Sequence, residues 1–94
     1  MKHGYDKDAL TKRLHRIEGQ VRGIERMVED ERYCIDILTQ IGAVNTALES
    51  LAVKLLDGHV RHCVADALAS GDAKAATAKS EELLAAVQRF ARTR

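Results

Sequence analysis

An all-α chain is predicted by three features of this sequence. It has no proline and only six glycines. Aromatics make up 3%, while Ala, Leu, Glu, Lys, Arg and Gln, which lose little rotamer freedom in a helix, dominate. Its apolar residues recur at three- and four-residue spacing instead of alternating. At 94 residues the chain has room for one domain, taken as 1–94. So small a domain buries a low fraction of its surface, and long helices within it leave apolar stripes for a partner chain to cover.

The first helix is expected from about Asp6 to Glu29. Leu10, Leu14, Ile17, Val21, Ile24 and Val28 form its stripe, and Asp6 or Asp8 is placed to cap it. The polar cluster Glu29-Asp30-Glu31-Arg32 marks a turn. A second helix is expected from about Tyr33 to Leu68, where Ile41, Val44, Leu48, Leu51 and Leu55 repeat over two heptads as in a bundle seam. Gly42 and Gly58 each weaken it by about 1 kcal/mol relative to Ala without breaking it. Ser70-Gly71-Asp72 is the second break. A third helix follows, with Ala76, Leu83, Leu84, Val87 and Phe90 apolar, too short to cover the second.

Net charge is only +1, so global charge does not argue for nucleic acid. Its distribution is more telling: residues 1–26 hold seven basic against four acidic residues, and residues 27–94 hold eight against ten. The first helix is the basic element, a pattern that solvated helix faces share. No apolar run approaches the ~20 residues of a membrane span. The polar start Met1-Lys2-His3-Gly4-Tyr5-Asp6 reads as no secretory leader, and a cytoplasmic chain is expected. In that compartment two cysteines point to metal or redox chemistry before a structural disulfide.

The chemistry-bearing residues are Cys34 and the stretch His59-Val60-Arg61-His62-Cys63. His59 and Cys63 are four apart, so on a helix they project from one face and form a bidentate half-site. Imidazole and thiolate suit soft or borderline metals, chiefly Cu(I) and Zn(II). Cys34 is the natural third ligand, but 25 residues of unbroken helix would hold it roughly 37 Å from His59. An antiparallel copy of the same helix brings its Cys34 beside the first chain's His59 and Cys63, and two-fold symmetry then makes two sites per dimer. The argument fails if the helix is sharply broken near Gly42. Against it stands the plainer role of a buried cysteine as a small hydrophobe. His62 points away from the pair and is assigned to the surface; His3 and His15 lack partners at ligand spacing.

The stretch Arg13-Leu14-His15-Arg16-Ile17-Glu18-Gly19-Gln20-Val21-Arg22-Gly23-Ile24, then Arg32-Tyr33-Cys34-Ile35-Asp36-Ile37-Leu38-Thr39-Gln40-Ile41, resembles the CsoR/RcnR family of bacterial metal-sensing repressors. The resemblance continues through Ala43-Val44, Ala47-Leu48 and His59…His62-Cys63-Val64 to Glu81-Glu82-Leu83-Leu84, nearly the whole chain. It implies a three-helix protomer, an antiparallel four-helix-bundle dimer and a tetramer of two dimers. It further implies a repressor that holds operator DNA when metal-free and leaves it when its effector binds. Copper sensors of the family carry Cys, His and Cys where this chain has Cys34, His59 and Cys63, which implies Cu(I). Nickel and cobalt sensors replace the last cysteine with histidine and add an N-terminal ligand; His3 resembles that ligand, but Cys63 opposes the reading. The resemblance also implies a tyrosine and a glutamate around the ligands, matched by Tyr33 and by Glu82. DNA contacts are implied at Arg13 and Arg16, with Lys54 standing in, one turn on, for an arginine that some members have where Ser50 lies.

The expected function is thus a Cu(I)-gated transcriptional repressor. Its alternatives are a thiol-redox or persulfide sensor of the same family that bridges Cys34 and Cys63 between protomers, and a metal-buffering protein without a DNA role. No Ser-His-Asp set, carboxylate pair or phosphate loop is present, so no enzyme is expected.

Overall fold

Asp6 starts the first helix: its Oδ1 accepts a hydrogen bond from the Ala9 N–H at 3.1 Å, satisfying one of the amides that a helix start leaves unpaired. The structure is a computed structural model. It describes residues 5–92, with the side chains at 63, 64 and 92 outside the description. Helix α1 runs Lys7–Glu29. The second helical run has three contiguous pieces: α2 (Cys34–Gly58), a π-helical turn (His59–Val64) and α3 (Ala65–Ala69). Helix α4 spans Ala73–Arg92. All elements among the described residues are helical, so the all-α expectation holds, and the three helical runs fall where periodicity places them. The π-helical turn is the departure: the Ala65 N–H bonds to the Val60 carbonyl five residues back, where an α-helix reaches back four.

Helix α1 ends in a Schellman motif. The Arg32 N–H bonds to the Met27 carbonyl at 3.0 Å and the Glu31 N–H to Val28 at 3.1 Å. The residue that turns the chain here is Glu31, at φ 54°, in the left-handed region that favours glycine. The second break has the expected chemistry: Gly71 takes φ 76°, and Asp72 Oδ1 caps α4 by accepting from Lys74 N at 3.0 Å and Ala75 N at 3.2 Å.

The chain divides into two compact units, Tyr5–Leu56 and the segment from Asp57 onward. In the first, α1 and α2 form a helical hairpin whose buried hydrophobics are Leu10, Ile17, Val44 and Leu51, at 7–8% exposure. Each pair is seven residues apart, and the pairs sit at matching distances before and after the Glu31 turn, as antiparallel packing requires. The apolar stripes are wider than this seam. Leu14, Val21 and Val28 on α1 and Ile41, Leu48 and Leu55 on α2, also at heptad spacing, remain exposed. In the second unit α4 packs against both α3 and the π-helical turn.

Gly19 and Gly23 do not bring helices together within the chain. A Cβ at Gly19 would meet nothing within 4 Å, and one at Gly23 would meet only an Arg26 guanidinium nitrogen at 4.0 Å.

The turn yields a direct test. A non-glycine residue in the left-handed region costs roughly 1–2 kcal/mol, less the ~0.4–1 kcal/mol of unfolded-state entropy that glycine adds. Glu31→Gly is therefore expected to stabilise the protein by about 0.5–1 kcal/mol. The check is the urea midpoint at fixed protein concentration; a midpoint that stays put or falls would mean that the Glu31 side chain makes up for the backbone.

Candidate metal centre and nucleic-acid face

Cys34 is the first residue of α2, and its side chain is exposed. Tyr33 precedes it, 68% exposed, and its carbonyl accepts from the amides of Asp36 at 3.0 Å and Ile37 at 3.3 Å, so it anchors the helix start. Helix α2 passes through Gly42 unbroken for 25 residues. His59 follows its last residue. A helix of that length is roughly 37 Å long at 1.5 Å per residue. No group of three or more His, Cys, Asp or Glu residues able to hold a metal occurs among the described residues.

His59, half-buried, opens the π-helical turn, and position 63 lies four residues on in the same turn. The Cys63 side chain lies outside the described residues, as does His3. Four-residue spacing still brings side chains together at this junction. Asp57 and Arg61, four apart across the start of the turn, meet with Arg61 Nε at 2.9 Å from Oδ1 and 3.1 Å from Oδ2. That contact raises the Arg61 pKa, through the hydrogen bond first and the opposite charge second. Residues 57 and 61 are offset by two positions from 59 and 63, about half a helical turn, so the guanidinium is held on the side away from the histidine. His62 is exposed.

Tyr33 lies at the Cys34 end of α2. Glu82 lies on α4, the helix that packs against the π-helical turn carrying His59. Its carboxylate is 3.8 Å from Lys79 Nζ on the same helix.

On the helical hairpin, Arg13 of α1 and Thr46, Glu49, Ser50, Val53 and Lys54 of α2 line an open groove of about 440 Å³. Two of the three residues expected at DNA, Arg13 and Lys54, are brought together there. Arg16 is exposed on α1, three residues beyond Arg13, and does not line the groove. Glu49, half-buried, was not among the expected site residues; three- and four-residue spacing from Thr46 and to Val53 places it on the groove face of α2.

Comparison with known proteins accounts for this arrangement. The family model of the metal-sensitive transcriptional repressor matches residues 6–89. The copper-sensing transcriptional repressor CsoR of Bacillus subtilis is 51% identical over 92 residues, covering 98% of this chain and 88% of that protein. The copper-sensing repressor RicR of Mycobacterium tuberculosis is 54% identical over 93 residues, covering 97% and 96%. Among solved structures, the copper-sensing repressor CsoR with Cu(I) from Geobacillus thermodenitrificans superposes with a TM-score of 0.83 at 48% identity, over 89% of this chain and 84% of that one. The nickel-responsive regulator InrS superposes at 0.80 with 37% identity, over 93% and 94%. Helix order, the separated Cys and His–Cys positions and the match along nearly the whole length agree: this chain belongs to the family of metal-sensitive transcriptional repressors.

Proposed function

We propose that this protein is a copper(I)-responsive transcriptional repressor that occupies operator DNA when metal-free and is released when Cu(I) binds. The observation that carries the reading is the unbroken α2 with a thiol at one end and the His59–Cys63 half-site beyond the other. The relatives at 51% and 54% identity are named copper-sensing repressors, and one neighbouring structure is described with Cu(I). A nickel-responsive neighbour shares the fold, so the fold alone does not choose the metal. The donor set does: two thiols and one imidazole favour a soft monovalent ion.

In this reading Cys34 of one protomer and His59 with Cys63 of its partner hold Cu(I). The ion supplies a bond between two chains that is absent in the metal-free protein. The surfaces that bring the chains together are the apolar heptad lines Leu14–Val21–Val28 and Ile41–Leu48–Leu55, left exposed by the hairpin. Exposed apolar patches of this kind mark interaction sites, and here they support an antiparallel dimer, assembled further into a tetramer. Arg13, Arg16 and Lys54 contact DNA phosphates. No helix among the described residues is long and apolar enough to cross a membrane, which accords with residence in the cytoplasm beside the DNA.

A gel shift on the DNA upstream of the protein's own gene, with and without Cu(I), tests the function. The parent protein should bind metal-free and release with Cu(I). Cys34→Ala, His59→Ala and Cys63→Ala should each keep metal-free binding and lose the release, whereas His62→Ala should behave as the parent. Equal damage from His62→Ala and His59→Ala would place the site on the wrong side of the π-helical turn. A metal buffer would show no salt-dependent, sequence-specific DNA affinity at all.

Oligomeric state is read by sedimentation. A dimer core within a tetramer is expected, and a stable monomer at micromolar concentration would overturn the inter-chain site.

Coupling between metal and DNA is a free energy between two sites. We assign it to the shell around the imidazole, Tyr33 of the chain that supplies Cys34 and Glu82 on the α4 that packs beside His59. Tyr33→Phe and Glu82→Gln should leave Cu(I) affinity nearly intact while shrinking the effect of copper on DNA affinity. Full copper-induced release in both variants would route the coupling through the ligands alone.

A further inference from the structure

We propose that a strand of the DNA backbone crosses α1 at Gly19 and Gly23, where the helix carries no side chain, and that Arg26 holds it from one side as Arg16 does from the other. The inference rests on the repressor reading, which already places Arg16 at DNA. Lys12, Arg16, Gly19, Gly23 and Arg26 follow one another at steps of four, three, four and three residues, so they form one straight line along α1. Each stands two residues from Leu14, Val21 or Val28, about half a helical turn away. The line therefore faces away from the exposed apolar residues that the proposed dimer covers, and it stays open when that dimer forms.

Charge and shape on this line both suit a polyanion. From Lys12 to Arg26 it carries three exposed cations and no acid. None of the three has an ion-pair partner among the described residues. The acids of this stretch, Glu18 and Glu25, lie four residues beyond Leu14 and Val21 and so flank the apolar line; Glu18 has Arg22 at 3.9 Å. Glycine at two exposed helix positions weakens the helix relative to alanine, and nothing within the chain requires it at Gly19, where a Cβ would meet nothing within 4 Å. At Gly23 the one near atom is a guanidinium nitrogen of Arg26, 4.0 Å from where a Cβ would stand, so this unpaired cation already folds over the gap. Long cationic side chains at either end and bare backbone between them make a saddle. Arg16 and Arg26 are ten residues apart, about 15 Å along the axis, which admits one phosphodiester strand with a guanidinium on each side. A second copy of this helix packed on the same line would set cation against cation, a juxtaposition that opposes association. Contacts of this kind hold the duplex in place without reading its bases.

The test measures the affinity of the full, metal-free chain by fluorescence anisotropy on the upstream duplex and on a random duplex of equal length, with urea midpoints and sedimentation run beside it. Gly19→Leu and Gly23→Leu should each keep or raise the urea midpoint, because leucine is the better helix former. Both should nevertheless weaken binding to either duplex, on the order of tenfold at ~0.1 M salt. Arg26→Gln should weaken both to a similar extent and flatten the salt dependence by about one unit. Arg22→Gln, the same charge change off the line and on a residue beside Glu18, should stay within about twofold. Unchanged affinity in the two glycine variants overturns the proposal, and so does a loss in Arg26→Gln no greater than in Arg22→Gln. A glycine variant that alters the oligomeric state also overturns it, by assigning the line to a second copy of the chain. The Arg13→Ala, Lys54→Ala double variant separates the two possible failures. Lost affinity there with none lost in the glycine variants sinks the strand seat alone; a parent protein without salt-dependent affinity for either duplex sinks the repressor reading and the seat with it.

Discussion

The rigidity of one helix governs the rest of this structure. Each residue of α2 adds about 1.5 Å along its axis, and neither Gly42 nor any proline interrupts its 25 residues. A rod of that length cannot be bent to bring its ends together without losing backbone hydrogen bonds that nothing else in the chain would replace. In the proposed site, the thiol at its start and the His59–Cys63 pair beyond its end are therefore complementary halves of different sites. On that proposal, a requirement for three converging ligands becomes a requirement for a second chain.

The distribution of apolar surface follows the same logic. The hairpin buries one heptad line on each helix and leaves a second exposed on each. Four buried hydrophobics are few for a stable domain, since fully burying such a side chain is worth only about 1.5–3 kcal/mol against the entropy of ordering the backbone. In the proposed dimer, covering the exposed lines would supply much of the stability and would link folding to assembly and to protein concentration. Such a link would suit the proposed regulator, in which a metal bond between chains acts on the surface that completes the fold.

The π-helical turn gives the other half of the site its character. A π turn leaves the regular hydrogen-bond ladder one residue out of step, and such bulges occur often at functional positions. Here it coincides with the residues from His59 to Val64, and the Asp57–Arg61 ion pair spans its start. Both partners are well exposed, so the pair does little for global stability. Its effect is local: it ties the Arg61 guanidinium back to Asp57 across the start of the turn.

Much of this was legible in the residues themselves. Period-3.6 spacing places the three helical runs, Asp6 and Gly71 occur where cap and turn chemistry demands them, and the four-residue step from His59 to Cys63 marks the half-site, because all of these depend on neighbours in the chain. What depends on neighbours in space was not legible. Six apolar residues of α1 read as one stripe; packing against α2 buries Leu10 and Ile17 and leaves Leu14, Val21 and Val28 outside, because a hairpin covers less than the width of an amphipathic face. The polar cluster at 29–32 marks the turn but not which residue bends it; Glu31 takes the left-handed conformation because closing the hairpin requires one and no glycine is there. The π-helical turn has no sequence marker, since winding at i+5 in place of i+4 turns on a small energy difference that the packing of α3 and α4 against it can tip. Glu49 joins Arg13 only when two helices far apart in sequence lie side by side. Local propensity and spacing determine the elements and the ligand types; packing between helices decides which faces, charges and turns become the site.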